Sequence, residues 1–334
     1  MQIVEQLSQV DPGQGTFLTI GSFDGVHVGH QYLIQTLVRQ AREDDRRAAL
    51  LTFHPHPRSV LSTGRPLEYL SSVEEKQALF AALGLDLAAI VPFTSEVAGT
   101  EARAFMVEVQ RRLNLEALWI GQDFALGRQR SGDAAALARL GEDLGFAVHV
   151  LPHFQWRGRA VSSTRIRTLL RQGQARQAAA LLGRPYALSG PVVPGARRGA
   201  GLGFPTANVE FLPGRLVPAR GVYATFAWLE GRSYPAVTNV GTSPTFGPGH
   251  LRLEAYLLDF VGDLYGQTLT VQFVERLRPE LQFPDARSLI RQMEQDVVQG
   301  RQLLAAEPRQ PLVRVVPLDL LERQPAGAGC AGGA

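Results

Sequence analysis

The segment TFLTIGSFDGVHVGHQYLI, residues 16–34, joins an apolar strand to an amphipathic helix through a turn rich in glycine. The strand is predicted at Thr16–Ile20, and Gly21, Gly25 and Gly29 follow it. This succession of strand, loop and helix is typical of a parallel α/β sheet. The first turn of the helix would present unpaired N–H groups with partial positive charge, so the segment predicts a place for an anion at this edge of the sheet.

The same succession continues to about residue 155. Short apolar runs predict further strands at Ala48–Phe53, Leu87–Phe93, Ala117–Gly121 and Ala147–Leu151. Helical periodicity predicts helices over residues 30–44, 100–114 and 132–145, and Ser72 with Glu75 has the spacing of a capping box. We therefore predict a doubly wound parallel-sheet α/β domain for the first half of the chain.

The sequence changes character after Gly183, where glycine and proline become frequent. Strands without intervening helices are predicted at Tyr186–Val193, Val222–Leu229, Tyr234–Thr238, Leu251–Phe260 and Thr268–Leu277. This pattern predicts a mostly antiparallel β-barrel or a sandwich, with a C-terminal helix over residues 285–307 covering an open side of the barrel. The predicted domains are residues 1–184 and 185–310, followed by a C-terminal tail, 311–334, whose end QPAGAGCAGGA is expected to be disordered.

The composition of the 334 residues excludes several classes of protein. Lysine and arginine number 34 against 31 acidic residues, and neither half is strongly basic, so no nucleic-acid partner is expected. Lys76, predicted on an ordinary amphipathic helix, is the only lysine, which excludes a P-loop. Cys330 is the only cysteine and no apolar run has the length of a membrane span, so we expect a soluble cytoplasmic protein without disulfides, cysteine-based zinc sites or a membrane partner.

Two histidines, three residues apart, follow the first strand. With His27 at the N-terminus of the helix, the imidazoles of His27 and His30 would face one point above the carboxyl end of the strand, where open α/β sheets bind ligands. Imidazoles in that place can stabilise charge on a phosphoryl group. The pair could also be surface or capping residues, and zinc is conceivable, although the pair lacks the glutamate of an HExxH motif.

The segment VSSTRIR, residues 161–167, supports a phosphate ligand. Ser162 or Ser163 would cap a helix, which places Arg165 and Arg167 in its first turns. Arginine opposes the helix dipole at this end, and a bound triphosphate would explain its presence. Simple capping by the serines, with solvated arginines, is the alternative.

Two further segments, FHPHP and GQDFALG, follow predicted strands and predict a ligand pocket. Phe53, Pro55 and Phe124 could line a pocket for a flat aromatic ring. Asp123 could accept hydrogen bonds or help to hold a metal. Core packing at the strand ends explains the aromatic residues equally well, and His54 can be a plain loop residue.

These segments resemble the adenylyltransferase half of the bacterial bifunctional riboflavin kinase/FAD synthetase family. GSFDGVHVGHQ, FHPHP, GQDFALG and SSTRIR stand in the family's order, and the FDG loop and the DF-x-x-G segment are the more specific of them. The resemblance implies that ATP and flavin are bound by Gly21, Phe23, Asp24, Gly25, Gly29, Phe53, His54, Pro55, Asp123, Phe124, Ser162, Ser163, Thr164, Arg165 and Arg167. Ala125 and Leu126 stand where the family commonly has arginine and phenylalanine.

A second group of residues suited to phosphates begins with a glycine-rich loop. Gly195, Gly199, Gly201 and Gly203 would give this loop the flexibility to point backbone amides at phosphates. Loops of this composition are also common turns that bind nothing. The loop alone therefore predicts less than the residues that follow it.

Thr206 and Asn208 supply neutral oxygens suited to Mg²⁺, and Glu254 lies on a predicted strand. Alternation places Glu254 on one strand face with Arg252 and Tyr256. If that face lines the barrel, a carboxylate there is costly unless it is paired or functional, and a general base for a hydroxyl is the functional interpretation. A strand start at PTAN and a cross-sheet ion pair of Glu254 are the alternatives.

The second half resembles the riboflavin kinase half of the same family. GFPTAN matches the family motif without a break, and VYA, NVG, PTF, LEAYLLDF and ERLRPELQF follow in family order. The resemblance implies that substrates and Mg²⁺ are bound by Gly195, Gly199, Gly203, Pro205, Thr206, Asn208 and Arg278, with the metal on Thr206 and Asn208. Ala200 and Gly201 stand where basic residues often occur.

The resemblance implies a bifunctional enzyme of flavin cofactor synthesis, with a nucleotidyltransferase domain followed by a β-barrel kinase domain. Riboflavin and ATP would give FMN and ADP with Glu254 as base. FMN and ATP would then give FAD and pyrophosphate, with His27 and His30 stabilising the transition state. Two alternatives are a non-catalytic flavin-binding module in the second half and a nucleotidyltransferase for another acceptor, such as a nicotinamide or pantetheine phosphate. No oligomeric state follows from the sequence.

Overall fold

The computed structural model describes residues 1–61, 66–195, 201–242 and 251–323. Within these ranges the chain forms two compact units. The first contains Met1–Ser162 and the described residues from Val313 onward, and the second contains the described part of Ser163–Leu312. The tail end predicted to be disordered, residues 324–334, lies outside the described residues.

The first unit is a parallel sheet packed between helices. Its strands are β1 (Gln2–Val4), β2 (Thr16–Ile20), β3 (Arg47–His54), β4 (Leu87–Pro92), β5 (Leu115–Gly121), β6 (Ala125–Leu126), β7 (Gly132–Asp133), β8 (Ala147–Leu151), β9 (Gln155–Trp156) and β10 (Arg159–Ala160). Its helices are α1 (Val28–Glu43), α2 (Pro57–Leu61), α3 (Val73–Ala82), α4 (Ser95–Gly99), α5 (Ala102–Leu113) and α6 (Ala134–Leu144). The predicted capping box is present, since Ser72 and Glu75 exchange hydrogen bonds at the start of α3.

The main sheet has the strand order β1-β4-β3-β2-β5-β8, and neighbouring strands are parallel. β2 pairs with β3 on one side and with β5 on the other, so the winding reverses at β2. The loops after β2 and β5 therefore lie beside the switch point, where open α/β sheets bind ligands. The predicted doubly wound class is confirmed. β1 is absent from the sequence prediction because three residues carry no periodicity, and it is fixed by pairing with β4.

Alternate residues of β2 face two different apolar layers. Leu18 belongs to the cluster that contains Met106 of α5. Phe17 belongs to the opposite cluster, with Ile34 of α1 and Phe80 of α3. This period of two is the expected property of a strand covered on both faces. The packing on this second face holds α1 against the sheet. The position of α1 in turn sets the position of the two histidines at its N-terminus.

The second unit is a closed barrel with helices. Helices α7 (Ser163–Arg171) and α8 (Ala175–Leu182) precede strands β11 (Tyr186–Val193), β12 (Ala207–Val209), β13 (Gly221–Leu229), β14 (Arg232–Thr242), β15 (Leu251–Leu257) and β16 (Thr268–Arg278), and helix α9 (Ala286–Ala305) follows. The strands close in the order β11-β12-β15-β14-β13-β16, and neighbours are antiparallel. The predicted barrel is confirmed. Because it closes, it has no open side to cover, and α9 packs against β13 and β14 instead.

The compact units divide before α7, whereas the sequence predicts the boundary at residues 183–188. Leu182 of α8 is buried, and α8 contacts β11 and β16 of the barrel. Arg176 of α8 forms an ion pair of 2.5 Å with Glu275 of β16. Helical periodicity makes residues 163–184 look like a continuation of the first half, but their burial joins them to the barrel.

After α9 the described chain ends with helix α10 (Leu318–Glu322), which packs against α1 of the first unit. The sequence analysis gives this segment no structure beyond a tail. Across the described ranges, no helix has both the length and the apolar character needed to cross a bilayer.

Candidate active sites

Two histidines lie at the N-terminus of α1, directly after the carboxyl end of β2. His27 caps the helix, because its Nδ1 accepts a hydrogen bond of 3.2 Å from the backbone N–H of His30. The two imidazole rings are stacked with their centroids 3.6 Å apart, and the ring of Phe23 meets His30 edge-on at 5.1 Å. The structure thus brings together the two residues predicted to act on a phosphoryl group. His27 also fulfils the capping role that was the alternative interpretation.

The loop that carries the histidines is bent by left-handed residues. Gly25 has a φ of 80°, and Phe23 and Val26 have φ values of 47° and 40°. This region is unfavourable for a β-branched residue, so surrounding contacts must hold Val26 in it. A Cβ at Gly29 would lie 3.3 Å from the ring of His27, so glycine lets the first turn of α1 pass close to that imidazole.

Asp24 anchors this loop to the segment before α3. Its buried carboxylate accepts hydrogen bonds from the backbone N–H groups of Leu70 at 3.0 Å and Ser71 at 3.2 Å. The Ser71 hydroxyl in turn accepts one from the backbone of Gly25 at 2.9 Å. The predicted contact of Asp24 with a nucleotide stays a prediction, and the observed contacts make Asp24 a support of the loop.

Lys76, predicted on an ordinary amphipathic helix, is only 4% exposed in α3. Burial lowers the pKa of Lys76, and the charge of Asp24 opposes that shift. Burial also holds the pKa of His30 well below its usual range, with further lowering by the charges of His27 and Lys76. His30 is therefore a neutral imidazole near pH 7, and its buried Nδ1 has no hydrogen-bond partner among the described residues. The sequence analysis missed Lys76 because the run EEK is typical of a solvated helix face.

A cavity of 570 Å³ opens at the carboxyl ends of β2, β3 and β5. Of the residues predicted to bind ATP or flavin, it is lined by Gly21, Phe53, Asp123 and Phe124. His54 and Pro55 are not among its lining residues, and the next pair, His56 and Pro57, takes their place. A cavity of this size with four phenylalanine side chains in its wall suits a flat aromatic ligand.

Asp123 is paired with a histidine that the sequence analysis does not single out. Nε2 of His153, in the loop after β8, lies 2.6 Å from Oδ2 of Asp123, and Arg130 donates to the Asp123 carbonyl at 3.0 Å. The pair therefore links the loops after β5 and β8. The signal that could have indicated His153 is its place just after a predicted strand. Ala125 and Leu126 also line the cavity, so this wall is apolar where the family commonly has an arginine.

The segment SSTRIR begins at the division between the units. Ser162 is the last residue of the first unit before α7, which begins at Ser163. Arg167 of α7 is buried, whereas Thr164 is exposed and Arg165 is partly exposed. The binding of ATP phosphates by these five residues stays a prediction.

In the barrel, Glu254 lies in β15 between two amide side chains of the neighbouring strands. The strand register places Asn208 of β12 and Asn239 of β14 directly opposite Glu254. Nδ2 of Asn239 donates to Oε2 of Glu254 at 3.5 Å. Leu253 and Ala255 are fully buried, so Glu254 lies on the other face of the strand, as alternation predicts. Asn239 is missing from the predicted site although the NVG segment was noted in the resemblance.

The side chain of Glu254 lines a cavity of 440 Å³ that is formed by barrel residues and α9. Its polar wall contains Thr206, Asn208, Asn239, Arg252, Glu254 and Arg278. Its apolar wall contains Leu202, Phe204, Leu281, Phe283, Leu289, Met293 and Val297. The polar wall suits phosphates and hydroxyls, and the apolar wall suits an aromatic ring. Gly203 and Pro205 of the GFPTAN motif are exposed and do not line the cavity.

Asn208 packs closely against Gly195. A Cβ at position 195 would lie 2.2 Å from Nδ2 of Asn208, so a larger residue would displace the amide. The requirement for glycine here is therefore close approach. Two other positions of the predicted phosphate loop, Gly199 and Ala200, lie outside the described residues, as does the PTF segment at 244–246.

Arg278 is held at the cavity by an ion pair with Asp296 of α9. Nε and Nη2 of Arg278 donate to the carboxylate at 2.9 and 2.7 Å, and Gln292 donates to it at 3.0 Å. Asp296 is 3% exposed, and a buried carboxylate requires such partners. The sequence analysis missed Asp296 because an aspartate in an amphipathic helix usually faces solvent.

The polar wall of the barrel cavity fits a magnesium ion. Thr206 and Asn208 present hard, neutral side-chain oxygens in the same wall as Glu254, a set suited to Mg²⁺ that is bound mainly through phosphates. The described part of the chain holds no cluster of three or more histidine, cysteine, aspartate or glutamate side chains placed for a metal ion.

The chain thus combines a doubly wound sheet, with two imidazoles at its switch point, and a closed barrel with a carboxylate in its cavity. Residues 10–165 match the family model of FAD synthetase, and residues 182–304 match that of riboflavin kinase.

Similar proteins extend over nearly the whole chain. The bifunctional riboflavin kinase/FMN adenylyltransferase of Listeria monocytogenes is 34% identical over 290 residues, covering 86% of this chain and 92% of that one. The enzyme of the same name from Escherichia coli strain K12 is 35% identical over 301 residues, covering 90% and 96%. A crystal structure of a macrolide-efflux protein from Streptococcus pneumoniae superposes with a TM-score of 0.83 at 28% identity, covering 90% of this chain and 98% of that one.

The chain belongs to the bifunctional riboflavin kinase/FMN adenylyltransferase family. The predicted family, enzyme class and pair of activities are confirmed: riboflavin is phosphorylated by ATP to FMN, and FMN is adenylylated by ATP to FAD. Both alternatives from the sequence are set aside, because the second half matches a kinase model and the first half matches an FAD synthetase model.

Proposed function

We propose that the two reactions take place at separate sites, adenylylation of FMN in residues 1–184 and phosphorylation of riboflavin in residues 185–310. The observation that carries this division is the alignment of Glu254 with Asn208 and Asn239 in a cavity lined by residues of the second unit alone. The histidine pair belongs to the first unit, and the 570 Å³ cavity is lined by residues of that unit, although by neither histidine.

Glu254 is the general base of the kinase reaction. Its carboxylate takes the proton of the terminal ribityl hydroxyl, whose oxygen then bonds to the γ-phosphorus of ATP. The bond from that phosphorus to the β,γ-bridging oxygen breaks, and ADP leaves. Asn208 and Asn239, on either side of Glu254, keep the carboxylate pointed into the cavity.

Two groups of residues hold the substrates of this reaction. Thr206 and Asn208 would hold Mg²⁺, which when bound offsets the charge of the ATP phosphates. The flavin ring packs on the apolar wall that includes Phe283 and Met293. Arg278 borders the ring, and its bidentate bond to Asp296 fixes its orientation.

The adenylyltransferase reaction needs no base, because the phosphate of FMN is already an anion. One of its oxygens bonds to the α-phosphorus of ATP, the bond to the α,β-bridging oxygen breaks, and pyrophosphate leaves. His27 and His30 donate hydrogen bonds to the charge that develops at the α-phosphoryl group. Ser163, Thr164 and Arg167 hold the departing pyrophosphate.

The flavin ring of FMN occupies the 570 Å³ cavity, between the phenylalanine side chains of its wall. The Asp123 carboxylate accepts a hydrogen bond from the N–H group of the ring, and His153 fixes the direction of that carboxylate. The Asp123 carboxylate is negatively charged, so it accepts a hydrogen bond from the neutral N–H group but repels a phosphate. This end of the cavity therefore receives the flavin ring and not the phosphate.

Product analysis of matched variants tests the two-site division. The purified chain with riboflavin, ATP and Mg²⁺ is expected to form FMN and then FAD, separable by chromatography with fluorescence detection. Glu254→Gln supplied with FMN should still form FAD, and His30→Ala supplied with riboflavin should stop at FMN. Loss of both activities in either folded variant would contradict separate sites.

We also propose that the chain acts in the cytoplasm without a nucleic-acid partner. The single cysteine and the near balance of 34 basic and 31 acidic residues support this. Cell fractionation, and gel filtration of the purified protein with absorbance ratios read at two wavelengths, test the two statements.

A further inference from the structure

Residues 313–323 follow the stretch that matches the riboflavin kinase family model, which ends at residue 304, and nothing in the sequence assigns them a function. In space they belong to the first unit and contact α1, the helix that His27 caps. A segment that comes after the kinase barrel in sequence is therefore part of the unit that carries the two histidines. We call residues 313–323 the C-terminal brace.

The brace is bonded to α1 through two glutamines. The backbone N–H of Val316 donates to Oε1 of Gln31 at 2.8 Å, and the carbonyl of Val316 accepts from Nε2 of Gln35 at 2.9 Å. Gln31 is completely buried and immediately follows His30 in α1. Hydrogen bonds on both sides of one peptide unit fix its place along the helix.

Gln31 also forms a hydrogen bond with the loop that carries the histidines. Its Nε2 donates to the carbonyl of Val26 at 2.9 Å, and that carbonyl belongs to the peptide bond that leads into His27. Val26 has the left-handed φ of 40°, which a β-branched residue adopts only when its surroundings hold it there. One buried side chain thus joins the brace to the peptide bond that leads into His27.

Side chains of the brace add apolar and ionic contacts with the same helix face. Val315 packs against the apolar cluster that contains Ile34 of α1, and Leu321 is buried. Arg39 of α1 forms an ion pair of 2.9 Å with Glu322. The brace is therefore held along α1 from the level of Gln31 to the level of Arg39.

We propose that the C-terminal brace is a positioning segment of the adenylyltransferase site, which acts through Gln31 and Val26 to hold His27 and His30 in place. This inference rests on the proposed role of the two histidines. It makes the last described part of the chain necessary for the full rate of FAD formation and unnecessary for FMN formation, since the kinase cavity is lined by residues of the second unit alone.

Two truncations of the full chain test the proposal. A chain that ends at Leu312 lacks the brace, and a chain that ends at Arg323 keeps it and serves as the matched control. The shorter chain should form FAD with a kcat lowered about tenfold or more, the rate change that one hydrogen bond can account for. Its KM for FMN should change by less than about twofold, and its formation of FMN from riboflavin should be unaltered.

A pair of substitutions at Val316 separates the hydrogen bond from mere stability. Val316→Pro removes the N–H that Gln31 accepts, and the extended region favoured before Pro317 is compatible with the fixed φ of proline. Val316→Ala keeps the N–H and should retain most of the rate. Circular dichroism melting checks that both variants fold, so the pair decides the question even if the shorter truncation does not fold.

The outcomes distinguish an error in the proposed role of the brace from an error in the proposed role of the two histidines. Loss of FAD formation in Val316→Pro and not in Val316→Ala, with FMN formation intact, supports the brace. An unchanged kcat in Val316→Pro, or equal losses in both variants, overturns it. If His30→Ala lowers kcat while Val316→Pro does not, the brace alone is wrong. If His30→Ala has no effect, the proposed role of the histidines is wrong as well.

Discussion

The histidine site and the barrel site are assembled in opposite ways. His27, His30 and the bent loop that positions them come from one continuous stretch, residues 21–30, and the capping bond of His27 is made within it. In the barrel, Asn208, Glu254 and Asn239 come from three strands that meet only when the barrel closes. Local geometry makes the first site, and strand register makes the second.

This difference determines which structural change would disrupt each site. A shift of one residue in the pairing of β15 would turn Glu254 from the cavity to the face of Leu253, so the barrel site requires the correct register of a closed barrel. The histidine loop keeps its own hydrogen bonds, but its strained backbone depends on what packs behind it. The one site is sensitive to register and the other to support.

The largest expected effect is that of Glu254→Gln. Without the carboxylate, no general base accepts the hydroxyl proton, and FMN formation should fall by ~10²–10⁴. FAD formation from supplied FMN should change little, because His27 and His30 lie in the other unit. Initial rates with each substrate measure both effects. Retention of the kinase rate would mean that another group acts as base.

His30→Ala should have the next largest effect and the opposite selectivity. Removal of one donor to a transition-state charge should slow FAD formation by ~10²–10³, with FMN formation unchanged. His27→Ala should behave similarly, and the double variant should lose less than the product of the two, since both side chains act on one phosphoryl group. A raised KM for ATP with unchanged kcat would instead make the histidines ground-state contacts.

Two glycine substitutions sharpen the comparison between the sites. Gly195→Ala places a Cβ 2.2 Å from the amide of Asn208, so that side chain must move, and the KM for ATP in FMN formation should rise about tenfold. Gly29→Ala places a Cβ 3.3 Å from the ring of His27, which needs a smaller adjustment, and FAD formation should slow roughly threefold. The reverse order of effects would show that the histidine loop tolerates less displacement than the barrel.

The smallest expected effect is on stability, through the low pKa of His30. An unfolded histidine takes up a proton near pH 6.5, whereas burial keeps folded His30 neutral to lower pH. The unfolded state therefore binds more protons below pH 6.5, and stability should fall as the pH falls, by at most ~1.4 kcal/mol per pH unit until the folded pKa is reached. Urea midpoints of the wild type and of His30→Gln at pH 7.5 and pH 5.5 measure it. An identical pH dependence in the two proteins would contradict a role of His30.

The elements that the sequence predicts well are those with local signals. Thr16–Ile20 and Ala147–Leu151 have the predicted bounds, and the capping box at Ser72 is present. His27 lies at the N-terminus of α1 as its motif predicts. The site residues that sequence analysis overlooked, such as Asp296, have ordinary local patterns and owe their position to burial against distant segments.

Glycine placement, strand alternation and capping chemistry act over a few residues, so the sequence alone is sufficient for the types of element, for the histidine loop and for the change from α/β to β texture. Tertiary structure decides the strand order and the closure of the barrel. It also decides the alignment of Glu254 with Asn208 and Asn239, the burial of Lys76 and the packing of residues 313–323 against α1. Those outcomes depend on which distant surfaces bury one another. The hydrophobic effect that drives this burial is non-directional. A local pattern therefore predicts that a surface is buried but does not identify the segment that covers it.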